Sequence, residues 1–404
     1  MKILFIAQSE TSDNKREWSG TMHQSFVCLQ QAGFNVDYLC AMKKGKSSFF
    51  VKLLCEWWLQ IGKRFKVKTR ITETIYCKYN YAQVLGDFDY SAYDVIFIPT
   101  HWAMVAALPT KTKAKVVHLV DATFDSLLDY YEEFSGLTWQ NKIEGSYISK
   151  QAFKRSDLII ASSDWCKKNA IDSYQIEPNK ISVVEFGANL KHEDIPAVPK
   201  KIDGKSHLNI YISGVIWERK GGEQAVECCE ELIQIGYDVT LHITGMTPPI
   251  QHSNKSFIKT YGFLNKNNQN EYCQIINIMK QMDIFLFPSK AECSSIALCE
   301  ACGFGLPIFC YDTGGTSNYV TNGKNGYMLP LSSGGKEFAH CINNCYKSTQ
   351  LNKLSIGAVE MYKNKLNWQK WTEKVKEIII SFSNITSKSC LLYTSPSPRD
   401  STSS

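Results

Sequence analysis

Three short stretches carry residue types at spacings that could do chemistry. In the first, Arg219 and Lys220 stand beside Gly221-Gly222 where a strand over 208–213, ending at Gly214, feeds a helix. Free amides and the dipole of a helix N-terminus attract an anion, and two adjacent full charges suit a diphosphate. In the second, Glu292 and Glu300 are separated by seven residues. Glu292 lies on the loop after a strand over 284–287, whereas Glu300 lies about two turns along the helix whose first amides belong to Ser294, Ser295 and Ile296. Gly303 and Gly305 stop that helix, residues 306–311 form the next strand, and Gly314-Gly315 makes a turn that lets backbone approach a ligand closely. In the third, Asp121 follows a strand over 114–120; it either contacts a ligand or caps a helical segment over 123–131.

The elements that must position these residues read as alternating strands and helices. Before residue 190, buried-strand runs fall at 2–7, 35–40, 93–99, 114–120, 158–160 and 181–186. Gly20 sits where the first loop meets a helix carrying Met22, Phe26 and Leu29, a position suited to an anion or to a plain cap. Residues 191–206 lose periodicity and hold two prolines, as a linker does. Strand runs resume at 208–213, 239–244, 257–263, 284–287 and 306–311. Ligands of open parallel sheets bind at the carboxyl ends of strands, where Asp121, Gly214, Glu292 and the Gly314-Gly315 turn all fall. A last helix carries Trp371, Val375 and Ile378 on one face.

Taken together, Glu292-x7-Glu300, the Gly-Leu-Pro strand entry, the Thr-Gly-Gly turn and Asn325-Gly326 resemble the donor-binding half of retaining glycosyltransferases of GT-B fold, family 4 in particular. The resemblance implies an α/β protein of two Rossmann-like domains facing across a cleft, with a C-terminal helix crossing back to the first. Residues 1–195 would be the acceptor-side domain, 196–366 the nucleotide-sugar domain and 367–388 the crossing helix. It also implies transfer of a hexosyl unit from a nucleotide-diphosphate sugar to an acceptor hydroxyl with retention, in polysaccharide or glycolipid synthesis. By resemblance Glu292 binds donor-sugar hydroxyls, Glu300 the ribose, and Gly20 faces the donor phosphates. Arg219 and Lys220 would stabilise the leaving diphosphate, aided by the amides of residues 294–296, with Gly214, Gly314 and Gly315 lining the donor site. Related enzymes often carry a His near Asp121; here His118 lies three residues earlier and His101 follows the preceding strand, leaving the acceptor-side residue open. No cofactor or metal is expected. Two alternatives stand beside transfer: a nucleotide-sugar epimerase of the same fold and a non-catalytic nucleotide-sugar-binding partner.

Other features exclude function classes. The 404 residues, 44% hydrophobic and 21% charged with net charge +6, suit two soluble globular domains and fall short of a nucleic-acid binder's charge footprint. No GxGxxG follows the first strand, which argues against a dinucleotide cofactor. The 15 cysteines include one CxxC, Cys299 to Cys302, without a partner pair, so they read as reduced core thiols. Asp87-Phe88-Asp89 matches a metal-diphosphate triplet but lies in a polar turn without the flanking strand such a site needs. The N-terminal apolar run is too short for a signal peptide or membrane span, implying a cytoplasmic protein. In residues 43–70, Phe49, Leu53, Trp57, Ile61 and Phe65 recur every fourth position amid Lys and Arg, with Glu56 as the single acid. This stripe either packs on the first domain or lies on the anionic inner face of a membrane as a peripheral contact. Residues 389–404 include CLLYTSPSPRD, the product of one frame of a transposon-type sequencing-library adapter, and are expected to be an artefact and disordered.

Overall fold

The computed structural model describes residues 1–14, 17–41, 57, 60, 64 and 68–392, with side chains through residue 383. The proposed amphipathic stripe of residues 43–70 therefore falls almost wholly outside the described residues.

The strands of the described residues form two six-stranded parallel sheets. The first contains β1 (Lys2–Ala7), β2 (Asn35–Cys40), β3 (Val95–Pro99), β4 (Lys115–Val120), β5 (Leu158–Ala161) and β6 (Ile181–Val183), in the spatial order 2-1-3-4-5-6. The second contains β7 (His207–Ser213), β8 (Asp238–Thr244), β9 (Ile258–Thr260), β10 (Ile284–Phe287), β11 (Ile308–Tyr311) and β12 (Gly326–Leu329), in the order 12-11-10-7-8-9. Strands β3, β5, β10 and β11 are buried at every residue, the burial that helices on both faces impose and the reason these runs read as continuously apolar.

Helices α1 (Thr21–Gln31), α2 (Ile75–Gly86), α3 (Trp102–Ala107), α4 (Phe124–Leu127), α5 (Trp139–Arg155) and α6 (Asp164–Tyr174) belong to the first sheet. The second carries α7 (Trp217–Lys220), α8 (Gly222–Gln234), α9 (Gln269–Gln281), α10 (Ile296–Gly303), α11 (Gly335–Lys347) and α12 (Leu351–Asn364). Finally α13 (Trp368–Leu392) returns to the first domain, burying Trp371, Val375 and Ile379 in one core with Phe5, Phe26 and Phe97. Its backbone stays helical to Leu392, past residue 389, from which the sequence reading expects disorder.

Topology fixes where ligands can enter. The strand order reverses direction between β1 and β3 in the first sheet and between β7 and β10 in the second. At such a switch point neighbouring crossovers leave toward opposite faces and open a crevice beyond the strand ends. The two crevices face each other across the domain interface. Around them, Tyr130 Oη accepts from the Glu292 amide at 2.8 Å and lies 2.9 Å from Thr313 Oγ1. Tyr131 Oη accepts from the Cys293 amide at 3.3 Å. Asn318 donates to Asp164 (2.9 Å) and to buried Glu185 (3.0 Å), which also pairs with Lys365 at 3.0 Å and Lys374 at 3.7 Å.

Candidate active site

A cleft of about 650 Å³ lies between the domains, walled by both switch points. On the C-terminal side, β7 ends at Ser213 and the chain turns through Gly214 into the single helical turn of α7, which carries Arg219 and Lys220. Gly221 then adopts a left-handed conformation (φ 72°), and a Cβ there would stand 2.1 Å from the Pro288 carbonyl oxygen. Glycine is what lets the turn after β7 touch the loop after β10. The Lys220 stem packs on Gly214, where an added Cβ would come within 2.4 Å of its Cγ.

That contact brings three charges together. Lys220 Nζ bonds Glu292 Oε1, to which Arg219 Nη1 donates at 3.3 Å and Ser289 Oγ at 2.6 Å. Arg219 also donates to the Ala291 carbonyl at 3.2 Å, and its guanidinium lies 5.2 Å from the Tyr131 ring centroid. The Lys220 ammonium lies 4.5 Å from the Phe287 ring. Burial pulls the Lys220 ammonium below the usual lysine range, with Glu292 acting in the opposite sense. Two cations against one carboxylate leave the cluster one positive charge in excess, a standing attraction for an anion.

Glu300 is buried just over one turn into α10, not the two turns expected from sequence because the helix begins only at Ile296, and Lys266, from the loop between β9 and α9, bonds its Oε1. Ser294, Ser295, Ile296 and Ala297 line the cleft at the start of α10, and N-cap Ser295 makes no side-chain cap bond to its amides. Ser294 Oγ bonds Ser162 Oγ of the first domain.

Across the cleft, Asp121 lies at the end of β4 and accepts from the Trp18 indole nitrogen at 2.9 Å. Burial pushes the Asp121 carboxyl up, and the indole bond opposes that. The segment expected to be helical over 123–131 is helical only over Phe124–Leu127, capped by Thr123; Asp129 then turns left-handed (φ 56°), delivering Tyr131 to the cleft and Tyr130 to the back of the Glu292 loop. Burial raises both phenols, Tyr130 to about 12.

Of the residues picked from sequence, Arg219, Lys220, Glu292, Glu300, Gly214, Ser294, Ser295, Ile296 and Asp121 all line this one cleft. Gly20, Gly314 and Gly315 do not. Gly20 is buried as the N-cap of α1 (φ 89°), and its neighbours Trp18, Ser19 and Thr21 face the cleft instead. Gly314 and Gly315 lie beneath the loop that carries Glu292: an added Cβ would stand 2.0 Å from the carbonyl oxygens of Glu292 and Cys293 respectively. They shape the loop from behind. His118 is inside the core, bonded to the Thr100 carbonyl at 2.8 Å and held to about 4 by burial. His101 pairs with Glu17 at 3.4 Å. Cys299 and Cys302 are buried free thiols, and among the described residues no group of three or more His, Cys, Asp or Glu is arranged to hold a metal. No described helix is long and apolar enough to cross a membrane.

Trp18, Tyr130, Tyr131, Lys266 and Ser289 were not picked from sequence. Ser289 follows a strand end and could have been found on that ground; the others join the site from remote loops with no spacing to mark them.

With this geometry described, comparison with known proteins identifies the family. Residues 26–192 match the model described as Glycosyltransferase Family 4, and residues 207–348 that described as Glycosyl transferases group 1. The capsular polysaccharide biosynthesis glycosyltransferase CapM of Staphylococcus aureus is 26% identical over 183 residues, 42% of this chain and 47% of that protein. The chain spans about half the length of the first curated relatives it matches. Sucrose-phosphate synthase from Thermosynechococcus elongatus is similar in structure with TM-score 0.65 at 14% identity, over 95% of this chain and 99% of that one. Anabaena HepE in complex with UDP and glucose gives 0.58 at 15%, over 94% and 100%. These structural likenesses establish the GT-B arrangement of two Rossmann-like domains. The chain belongs to the family 4, group 1 glycosyltransferases.

Proposed function

We propose that the protein transfers a hexosyl unit from a nucleotide-diphosphate sugar to an acceptor hydroxyl, with retention at the anomeric carbon, in the synthesis of a cell-surface polysaccharide or glycolipid. The observation that carries this reading is the convergence of Arg219 and Lys220 with Glu292 at the β7/β10 switch point, beside the start of α10. As the glycosidic bond breaks, negative charge grows on the departing diphosphate. Preorganised cations in a site walled from water stabilise that charge without reorganising at the moment of reaction. Arg219, Lys220 and the first amides of α10 supply this stabilisation, and no metal or cofactor is invoked. Glu292, whose three donors all go to Oε1, accepts hydroxyls of the sugar through Oε2, and Glu300, with Lys266 on Oε1, accepts those of the ribose. Asp121 serves the acceptor side. Residues 1–195 form the acceptor half and 196–366 the donor half, in a cytoplasmic enzyme that would reach an anionic membrane surface through residues 43–70.

A panel of nucleotide sugars tested for protection against thermal unfolding identifies the donor, beginning with UDP-hexoses because HepE was solved with UDP and glucose. The expected result is one protecting donor, consumed only when an acceptor is present and giving a product of unchanged anomeric configuration by NMR. Protection by none overturns the reading; conversion without acceptor replaces transfer by epimerisation; an inverted product removes retention.

A further inference from the structure

The first sheet has its own switch point, and its residues differ in kind from those that hold the phosphates. Trp18 and Asp121 wall the cleft there, joined at 2.9 Å through the indole N–H, with Phe186 packed edge-to-face on Trp18 at 5.1 Å. The turn presenting Trp18 is strained. Trp18 (φ 48°, ψ 44°) and Ser19 (φ 56°, ψ 26°) are both left-handed, and so is Thr100 (φ 58°) just beyond β3. Three of the seven non-glycine residues with positive φ among those described thus gather at this one crevice.

The strained turn is held from two sides: Glu17 by His101 at 3.4 Å, and the Ser19 carbonyl by Asn189 Nδ2 at 2.6 Å. Asn189 is in turn fixed through Oδ1, which accepts from the Trp368 indole at 2.8 Å. Strain that surrounding contacts over-determine clusters at ligand sites, and here its effect is to set an indole beside a carboxylate at the cleft wall. A carboxylate repels a diphosphate, so the anionic part of the donor belongs at Arg219 and Lys220. A neutral ring with an apolar C–H face and hydrogen-bond-donating hydroxyls satisfies both Trp18 and Asp121.

Building on the transfer reading, we infer that Trp18 is the platform for the acceptor and that the acceptor group it receives is a pyranose ring, with a hydroxyl donated to Asp121. The test uses the full chain, the UDP-hexose that protects it, and p-nitrophenyl hexopyranosides as surrogate acceptors. Trp18→Ala is expected to raise the acceptor KM about tenfold or more, by loss of stacking, while Kd for UDP moves less than about twofold. Trp18→Phe, which keeps a ring but loses the indole N–H, is expected to recover most of that loss. An unchanged acceptor KM in Trp18→Ala overturns the inference, as does a UDP Kd that rises in parallel, the mark of a merely structural role. Wild-type protein that binds the donor but transfers to no pyranoside overturns the pyranose assignment and leaves the donor reading standing. Failure of any nucleotide sugar to bind wild type removes both.

Discussion

The two switch points of this molecule solve opposite recognition problems with different materials. At β7/β10 the recognition is by charge: Arg219, Lys220 and Glu292 meet within hydrogen-bonding distance, and glycines at 214 and 221 let the backbone and the lysine stem close around them. At β1/β3 it is by shape: an indole, aimed by left-handed backbone at residues that are not glycine, meets a phenyl ring and one carboxylate. A diphosphate carries most of its binding free energy in charge and tolerates some looseness in placement. An acceptor hydroxyl is neutral, and its position relative to the anomeric carbon decides whether transfer occurs. Charge is concentrated on one wall and strain on the other.

The contrast can be broken most sharply at the β7/β10 wall. Replacing Arg219 and Lys220 together by Ala should lower turnover on the order of 10²–10³-fold, the scale of losing oxyanion-type donors. Turnover comparable to wild type in a steady-state assay would end the charge assignment.

The next effect lies under the β1/β3 wall, where burial holds His118 neutral with a pKa of about 4 against an ordinary 6.5. Below 6.5 the unfolded chain takes up a proton that the folded one refuses, so stability falls with falling pH down to about 4 and is regained above 6.5. The loss should approach about 3 kcal/mol at the acid end. Urea unfolding between those pH values measures it, and His118→Gln should flatten the slope; an unchanged slope would place the acid sensitivity elsewhere.

The smallest effects oppose each other in sign. Gly221→Ala forces a side chain into left-handed backbone and against the Pro288 carbonyl, and should cost about 2 kcal/mol. Ser19→Gly relieves left-handed strain and should stabilise by about 1 kcal/mol or less. Thermal unfolding of the two variants reads both, and shifts of the same sign would erase the distinction between the walls.

Most of the fold was legible because both sheets are parallel and covered, so their strands stand out as apolar runs between helix signals. The exception is β12, four residues that begin at Gly326 within an Asn-Gly turn and are largely half-buried, leaving no continuous apolar run. The cluster at β7/β10 was legible because its residues sit within a few positions of strand ends and share local spacing. The β1/β3 wall was not. Trp18 depends on backbone strain, which composition does not announce, and Tyr130 and Tyr131 depend on Asp129 breaking a helix that periodicity continues. Gly20, Gly314 and Gly315 show the converse: a glycine signals close approach, but the partner can be the protein's own backbone.

The two tyrosines that accept the Glu292 and Cys293 amides come from the opposite domain. Pulling the halves apart would strip the carboxylate-bearing loop of both props, so the order of that loop is tied to the contact between the two domains. A severed C-terminal half would keep Arg219, Lys220 and Ser289 on the Glu292 side chain yet lose both phenols that take its loop's amides.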